Sequence, residues 1–170
     1  MAKNLKIPIP KPQKAMNTPF DVIQRTHLEP GPMRALKQAE AALSRSWCPH
    51  SGFHVGAALL LGNGGVITGV NYESDSYGLT LCAERTAIAR AQAEGVIQSI
   101  QALFITATRK VDPTNGPPLT PCGACRQWLA ELAVRLERDI PVYSFRDQAP
   151  QGIRTSARDL LPGAFTMEQT

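Results

Sequence analysis

Cys82-Ala83-Glu84-Arg85 and, forty residues on, Pro121-Cys122-Gly123-Ala124-Cys125 decide how the rest of this chain reads. Each segment opens a stretch of helical composition, so three thiols and one carboxylate stand at two helix starts. A helix start offers unpaired backbone N–H groups and about half a positive charge. Cys122 and Cys125 are three apart and share one face. Cys82 and Glu84 are two apart and would diverge on a regular helix, yet at a helix end both can line a site beyond the axis. Zinc takes thiolates, and a catalytic zinc keeps three protein ligands and one open position. The pattern predicts a zinc centre held by Cys82, Cys122 and Cys125, with Glu84 close enough to handle the protons of a water there. Three thiolates outweigh the charge of the metal, and Arg85 and Arg126 are placed to offset the excess by hydrogen-bonding the sulfurs. The plainer reading of either arginine is a surface residue. A structural zinc would need a fourth ligand from Cys48, His27, His50 or His54, and structural sites usually come as two close pairs, whereas Cys82 stands alone. A redox Cys-x-x-Cys would leave Cys82 and Glu84 without a role. Cys48 reads as a buried apolar thiol.

The bulk composition agrees with one globular domain that has a sizeable core. The chain has 170 residues, of which 43% are hydrophobic and 19% charged. Its longest apolar runs, such as 55–61, are too short to cross a bilayer, and the N-terminus does not read as a signal peptide, so the expectation is a cytoplasmic protein without a membrane partner. The formal charge of +4 is uneven. Residues 1–30 hold five basic and two acidic side chains, and the remainder holds 13 basic and 12 acidic ones. A body this close to neutral lacks the basic stripe that grips a phosphate backbone, which argues against a nucleic-acid partner.

Six prolines lie in residues 1–32, which are expected to form an irregular basic arm, with the folded domain running over 33–170. Apolar residues at three- and four-residue steps predict an amphipathic helix from Met33 to Ser46. Phe53 to Leu61 and Val66 to Asn71 read as a hairpin around Gly62-Asn63-Gly64-Gly65. A polar loop over 72–80 leads to a helix from Cys82 to about Glu94, capped by Gly95. A strand within 97–108, a loop over 109–120, a helix from Cys122 to about Arg135, strands at 141–146 and 152–155 and a last helical turn at 156–161 complete the pattern. The order α, β, β, α, β, α, β, β predicts an α/β fold, a mixed sheet flanked by helices.

These motifs resemble the small, homotetrameric, three-cysteine cytidine deaminases. The likeness is carried by 82–85 and 121–127 together with Cys48-Pro49-His50-Ser51-Gly52-Phe53-His54-Val55-Gly56, Asn71-Tyr72-Glu73 and Leu160-Leu161-Pro162, and it covers about residues 33–166. Three Cys ligands with a nearby non-ligand Glu are a known zinc-deaminase layout. The resemblance implies a three-layer fold with a five-stranded mixed sheet, one Zn²⁺ per subunit, a small cytosine nucleoside as substrate, and a homotetramer that shares active sites. Glu84 would move protons for hydrolytic deamination of cytidine and deoxycytidine. Phe53 would pack against the nucleoside, Asn71 and Glu73 would bind the ribose 3′-hydroxyl, and the Ala83 N–H and Thr120 carbonyl would contact the base. Tyr77 and Phe165 would come from neighbouring subunits.

Departures from the family concern substrate range. Ser74-Asp75 stands where Asn-Ala is usual, His50 replaces a tyrosine and Trp47 another. By the resemblance, Asp75 would face the substrate's 5′-hydroxyl from an adjacent subunit. A deaminase of a modified cytosine nucleoside is therefore the alternative. A non-catalytic zinc or RNA-binding module is a third reading, but it lacks both a basic body and stacking aromatics.

Overall fold

In the computed structural model, residues 19–109 and 119–167 can be described. They form one six-stranded mixed sheet between helical layers, with strand order β1-β6-β5-β4-β2-β3. The strands are β1 Asp21–Gln24, β2 Phe53–Leu61, β3 Val66–Val70, β4 Ile100–Arg109, β5 Pro141–Arg146 and β6 Gln151–Ser156. The helices are α1 Pro30–Ala42, α2 Ala83–Ala93, α3 Gly123–Arg135 and the short α4 Ala157–Leu160. β4 and β5 run parallel, joined through α3, and the other neighbours pair antiparallel.

Central strands covered on both faces need near-continuous apolar sequence, and β2, with Ala57, Ala58 and Leu59 fully buried, has it. One core joins α2 and α3 to the sheet through Ala87, Ile88, Leu129, Leu132, Leu103 and Ile105. A second core packs α1 on the opposite face through Leu36, Ala39, Phe104 and Phe145. Two glycines set how closely the helices approach. Any side chain at Gly56 would strike the Ala39 backbone of α1, and one at Gly69 would strike Ala83 and Ala87 of α2. Gly69 therefore seats the first turn of α2, which carries Cys82 and Glu84, directly on β3.

The N-terminal region differs from expectation in two ways. α1 starts at Pro30 rather than at 33, because prolines at 30 and 32 occupy the first turn, where backbone N–H groups have no intrahelical partner to lose. Within the expected irregular arm, the proline-free tetrapeptide Asp21-Val22-Ile23-Gln24 adds a strand to the edge of β6. This makes six strands instead of five. Arg25 fastens the strand by two 2.6 Å hydrogen bonds to Glu40 of α1, and its backbone N–H donates to the Pro150 carbonyl. The rest of the arm, 1–18, lies outside the described residues, as does 110–118 of the expected loop. Among the described residues, no helix is long and apolar enough to cross a membrane.

Candidate active site

Cys82 and Cys122 are the N-cap residues of α2 and α3, both in extended backbone conformation. Neither cap side chain bonds a backbone N–H of its helix, and both thiols face the gap between the two helix ends. Cys125 lies in the first turn of α3, completely buried. The Cys82 and Cys122 sulfurs are 3.5 Å apart, Cys122 and Cys125 also 3.5 Å, and all three lie within 4.8 Å of one another. Tetrahedral zinc with ligand sulfurs at about 2.3 Å sets them about 3.8 Å apart. The donor set and its spacing fit zinc.

Glu84, on the first turn of α2, is only 5% exposed. Burial raises its carboxyl pKa to about 7, the charge on Cys82 adds to the rise, and its own backbone N–H opposes it. The thiols polarise one another. A hydrogen bond from Cys125 lowers Cys82 to about 5, against burial and with help from Cys122 and Arg85, while Cys125 is pushed up, first by Cys82 and then by burial. The Arg85 guanidinium donates to the Thr80 carbonyl at 2.8 Å and reaches the Cys82 sulfur at 4.0 Å. Its Nε is buried without a partner among the described residues.

A cleft of about 440 Å³ is lined by His50, Ser51, Glu73, Tyr77 and Thr80. The Glu73 carboxylate accepts from the backbone N–H of His50 at 2.9 Å and of Ser51 at 3.2 Å, and from the Ser51 hydroxyl. These bonds, led by the hydroxyl, hold its carboxyl below the usual range. A hydrogen-bond bridge between Tyr72 and Leu81 closes the polar loop 72–81, and Thr80 of the cleft wall is tied through its carbonyl to Arg85, whose guanidinium reaches the Cys82 sulfur.

The model of the cytidine and deoxycytidylate deaminase zinc-binding region matches residues 32–136. The chain belongs to this deaminase family. A cytidine deaminase of Halalkalibacterium halodurans is 44% identical over 78% of this chain and 92% of that protein. A probable cytidine deaminase of Dictyostelium discoideum is 37% identical over 79% and 84%. The crystal structure of cytidine deaminase from Burkholderia pseudomallei superimposes with a TM-score of 0.67 at 38% identity, covering 78% of this chain and 97% of that one. Among the described residues, Cys82, Cys122 and Cys125 are the group that could hold the zinc of such a region.

Ala83 is fully buried between Cys82 and Glu84, and Phe53 opens β2, half-buried, next to the cleft loop. Asn71 is used up locally. Its Oδ1 accepts from the Val55 N–H and its Nδ2 donates to the Phe53 carbonyl, so it clamps the start of β2 instead of presenting a free amide. Asp75 pairs with His50 of its own chain at 3.2 Å, and Tyr77 sets its ring edge-on to His50. Arg126 departs from expectation. It donates to the Pro121 and Leu160 carbonyls and to the Thr120 hydroxyl, fixing the approach to α3 rather than a sulfur. Phe165 lies apart from the thiols, 75% exposed, with its carbonyl bound by Gln127 of α3. It borders a hollow of about 1000 Å³ formed with Trp128 and Leu132, which is larger than the cleft but holds none of the thiols. Sequence reasoning missed Ser51 and Thr80. Ser51 supplies two of the three donors to Glu73, and Thr80 anchors Arg85. Their only sequence signal is turn composition, which does not reveal a partner 22 residues away.

Proposed function

We propose that this chain is a zinc-dependent enzyme that hydrolyses the exocyclic amine of cytidine and deoxycytidine, giving uridine or deoxyuridine and ammonia. The observation that carries this reading is three thiols within 4.8 Å of one another beside a buried, near-neutral Glu84. Zinc held by Cys82, Cys122 and Cys125 supplies the Lewis acidity that makes water a nucleophile at neutral pH. Glu84 accepts a proton from the water that attacks C4 and passes it to N3, then accepts the proton of the new C4 hydroxyl and passes it to the amine nitrogen, which departs as ammonia while the C4 carbonyl forms. A carboxyl that titrates near the working pH suits both directions of transfer. The Ala83 N–H and the Thr120 carbonyl hold the base in this reading, and Phe53 packs on the nucleoside. Glu73, with Asn71 ordering the strand beneath it, takes the ribose hydroxyl.

The assembly we infer is a homotetramer in the cytoplasm with one zinc per subunit. Supporting it are Trp47, Tyr72, Tyr77, Leu79 and Phe165, each more than half exposed, a concentration of large apolar side chains that invites cover by neighbouring copies. Tyr77 and Phe165 would then complete a neighbour's pocket. Residues 33–170 carry the deaminase domain, with 19–29 strapped to its edge.

The test is loss of cytidine absorbance by purified protein, with and without a strong chelator, alongside Glu84→Gln. The variant should keep its zinc and its fold while kcat falls by about 10²–10⁴-fold or more, the value of a general acid–base group. Near-normal turnover by Glu84→Gln would refute this mechanism.

A further inference from the structure

The zinc site uses three of the chain's four cysteines and leaves Cys48. Cys48 is 7% exposed and begins the 48–52 turn, with exposed Pro49 and His50 beside it. Its sulfur lies 3.1 Å from Nδ1 of His54, the second residue of β2, and Ser46 Oγ lies 2.7 Å from the same nitrogen. Ser46 Oγ also stands 2.7 Å from the Leu43 carbonyl, which can only accept, so the single hydroxyl proton goes there. The hydroxyl therefore meets His54 as an acceptor, and Nδ1 carries the proton. That N–H faces the Cys48 sulfur as well as the hydroxyl. A donor aimed at sulfur favours the thiolate, which accepts more strongly than the thiol, and the thiolate is the nucleophile. The same residue closes the turn behind Glu73. The Cys48 carbonyl accepts from the Gly52 N–H at 3.0 Å, and within that turn His50 and Ser51 donate to the Glu73 carboxylate.

We propose that Cys48 is a second reactive centre of this protein, a thiol made nucleophilic by His54 and open to small oxidants of the peroxide class. The sulfur attacks one peroxide oxygen, and the S–O bond of a sulfenic acid forms as the O–O bond breaks. Sulfur gives up two electrons and the peroxide takes them. The leaving hydroxide takes up the proton that the thiol gave to solvent and departs as water. An oxygen added to a sulfur this buried displaces the turn, and Glu73 loses its donors. This last consequence rests on the cytidine-deaminating reading, whereas the reactivity of the thiol does not.

The experiment uses the zinc-loaded full chain, in which Cys82, Cys122 and Cys125 are held on the metal. Iodoacetamide, or hydrogen peroxide followed by dimedone, is reacted with wild type, His54→Asn and Ser46→Ala, and peptide mass spectrometry follows Cys48. His54→Asn should react about tenfold more slowly at pH 7, since an unaided thiol is only a few per cent thiolate there. Near pH 9.5, where an unaided thiol also ionises, the two rates should agree within about threefold. Ser46→Ala hands the Nδ1–H wholly to the sulfur and should react no more slowly than wild type. No labelling of Cys48, a deficit of His54→Asn that persists at pH 9.5, or an equal deficit in Ser46→Ala overturns the proposal, because His54 would then govern only packing. Peroxide should also remove cytidine turnover in step with Cys48 oxidation, and Cys48→Ala should survive the same dose. Equal loss in Cys48→Ala refutes the link to the turn. If untreated wild type has no turnover, the deaminase reading fails, and the labelling rates decide the reactivity of Cys48 by themselves.

Discussion

Gly69→Ala should disable this enzyme without replacing a single site residue. A Cβ at position 69 would lie 2.9 Å from Ala87 Cα and closer still to the Ala83 carbonyl oxygen and the Ala87 nitrogen, all backbone atoms of α2. Ordinary contact begins at 3.4 Å, so the first turn of α2 must back away from β3 by about 1 Å. Ala83 sits between Cys82 and Glu84, and that retreat carries a zinc ligand and the proton carrier away from Cys122 and Cys125. Misplacing reacting groups by about 1 Å costs about 10²-fold in rate. Overpacking of this kind costs about 1–3 kcal/mol of stability, or about 2–12 °C in Tm for a chain of this size. Gly56→Ala is the matched control. Its Cβ would collide with the Ala39 backbone of α1, on the other face of the sheet and away from the thiols. Both variants should lose Tm in thermal melts. At a temperature where both are fully folded, only Gly69→Ala should lose about 100-fold in kcat, with weakened zinc retention in a chelator competition. If Gly69→Ala melts lower yet keeps the kcat of Gly56→Ala, then α2 does not set the site geometry and this argument fails.

Two further outcomes follow from the same contacts. Cys122→Ala should leave the purified protein largely without zinc, because two sulfurs remain of a three-sulfur set, and full occupancy by elemental analysis would require another ligand. Glu40→Ala strands Arg25, whose guanidinium Glu40 holds above its usual pKa through their hydrogen bonds. The loss should be about 1.5–3 kcal/mol, or about 3–12 °C in Tm, with cytidine turnover at low temperature nearly unchanged, and an unaltered melt would mean that β1 is not held by this pair.

Local chemistry was legible in the linear chain. The thiols at positions 82, 122 and 125 announced a metal because their spacing puts two on one helical turn. The hairpin, the starts of α2 and α3 and the buried run of β2 followed from turn residues and apolar continuity. These features depend on neighbours within a few residues, and side-chain type at such range is nearly sufficient. Packing decided the rest, because it depends on what lies across the gap. Only the fold brings the Cys82 sulfur to 3.5 Å from Cys122, forty positions away. Only burial of the first turn of α2 lifts Glu84 to about 7, since its neighbours in sequence cannot say how much water it keeps. The strand at 21–24 escaped a composition-based reading because four proline-free residues become a strand when β6 offers an open edge and Arg25 meets Glu40. Arg126 turned to carbonyls rather than sulfurs for a similar reason. The end of α4 approaches α3 there, and unpaired carbonyls are acceptors no linear motif records. The identity of a zinc ligand is thus written in its residue type, whereas the partner of a long flexible side chain is written only in the tertiary contacts around it.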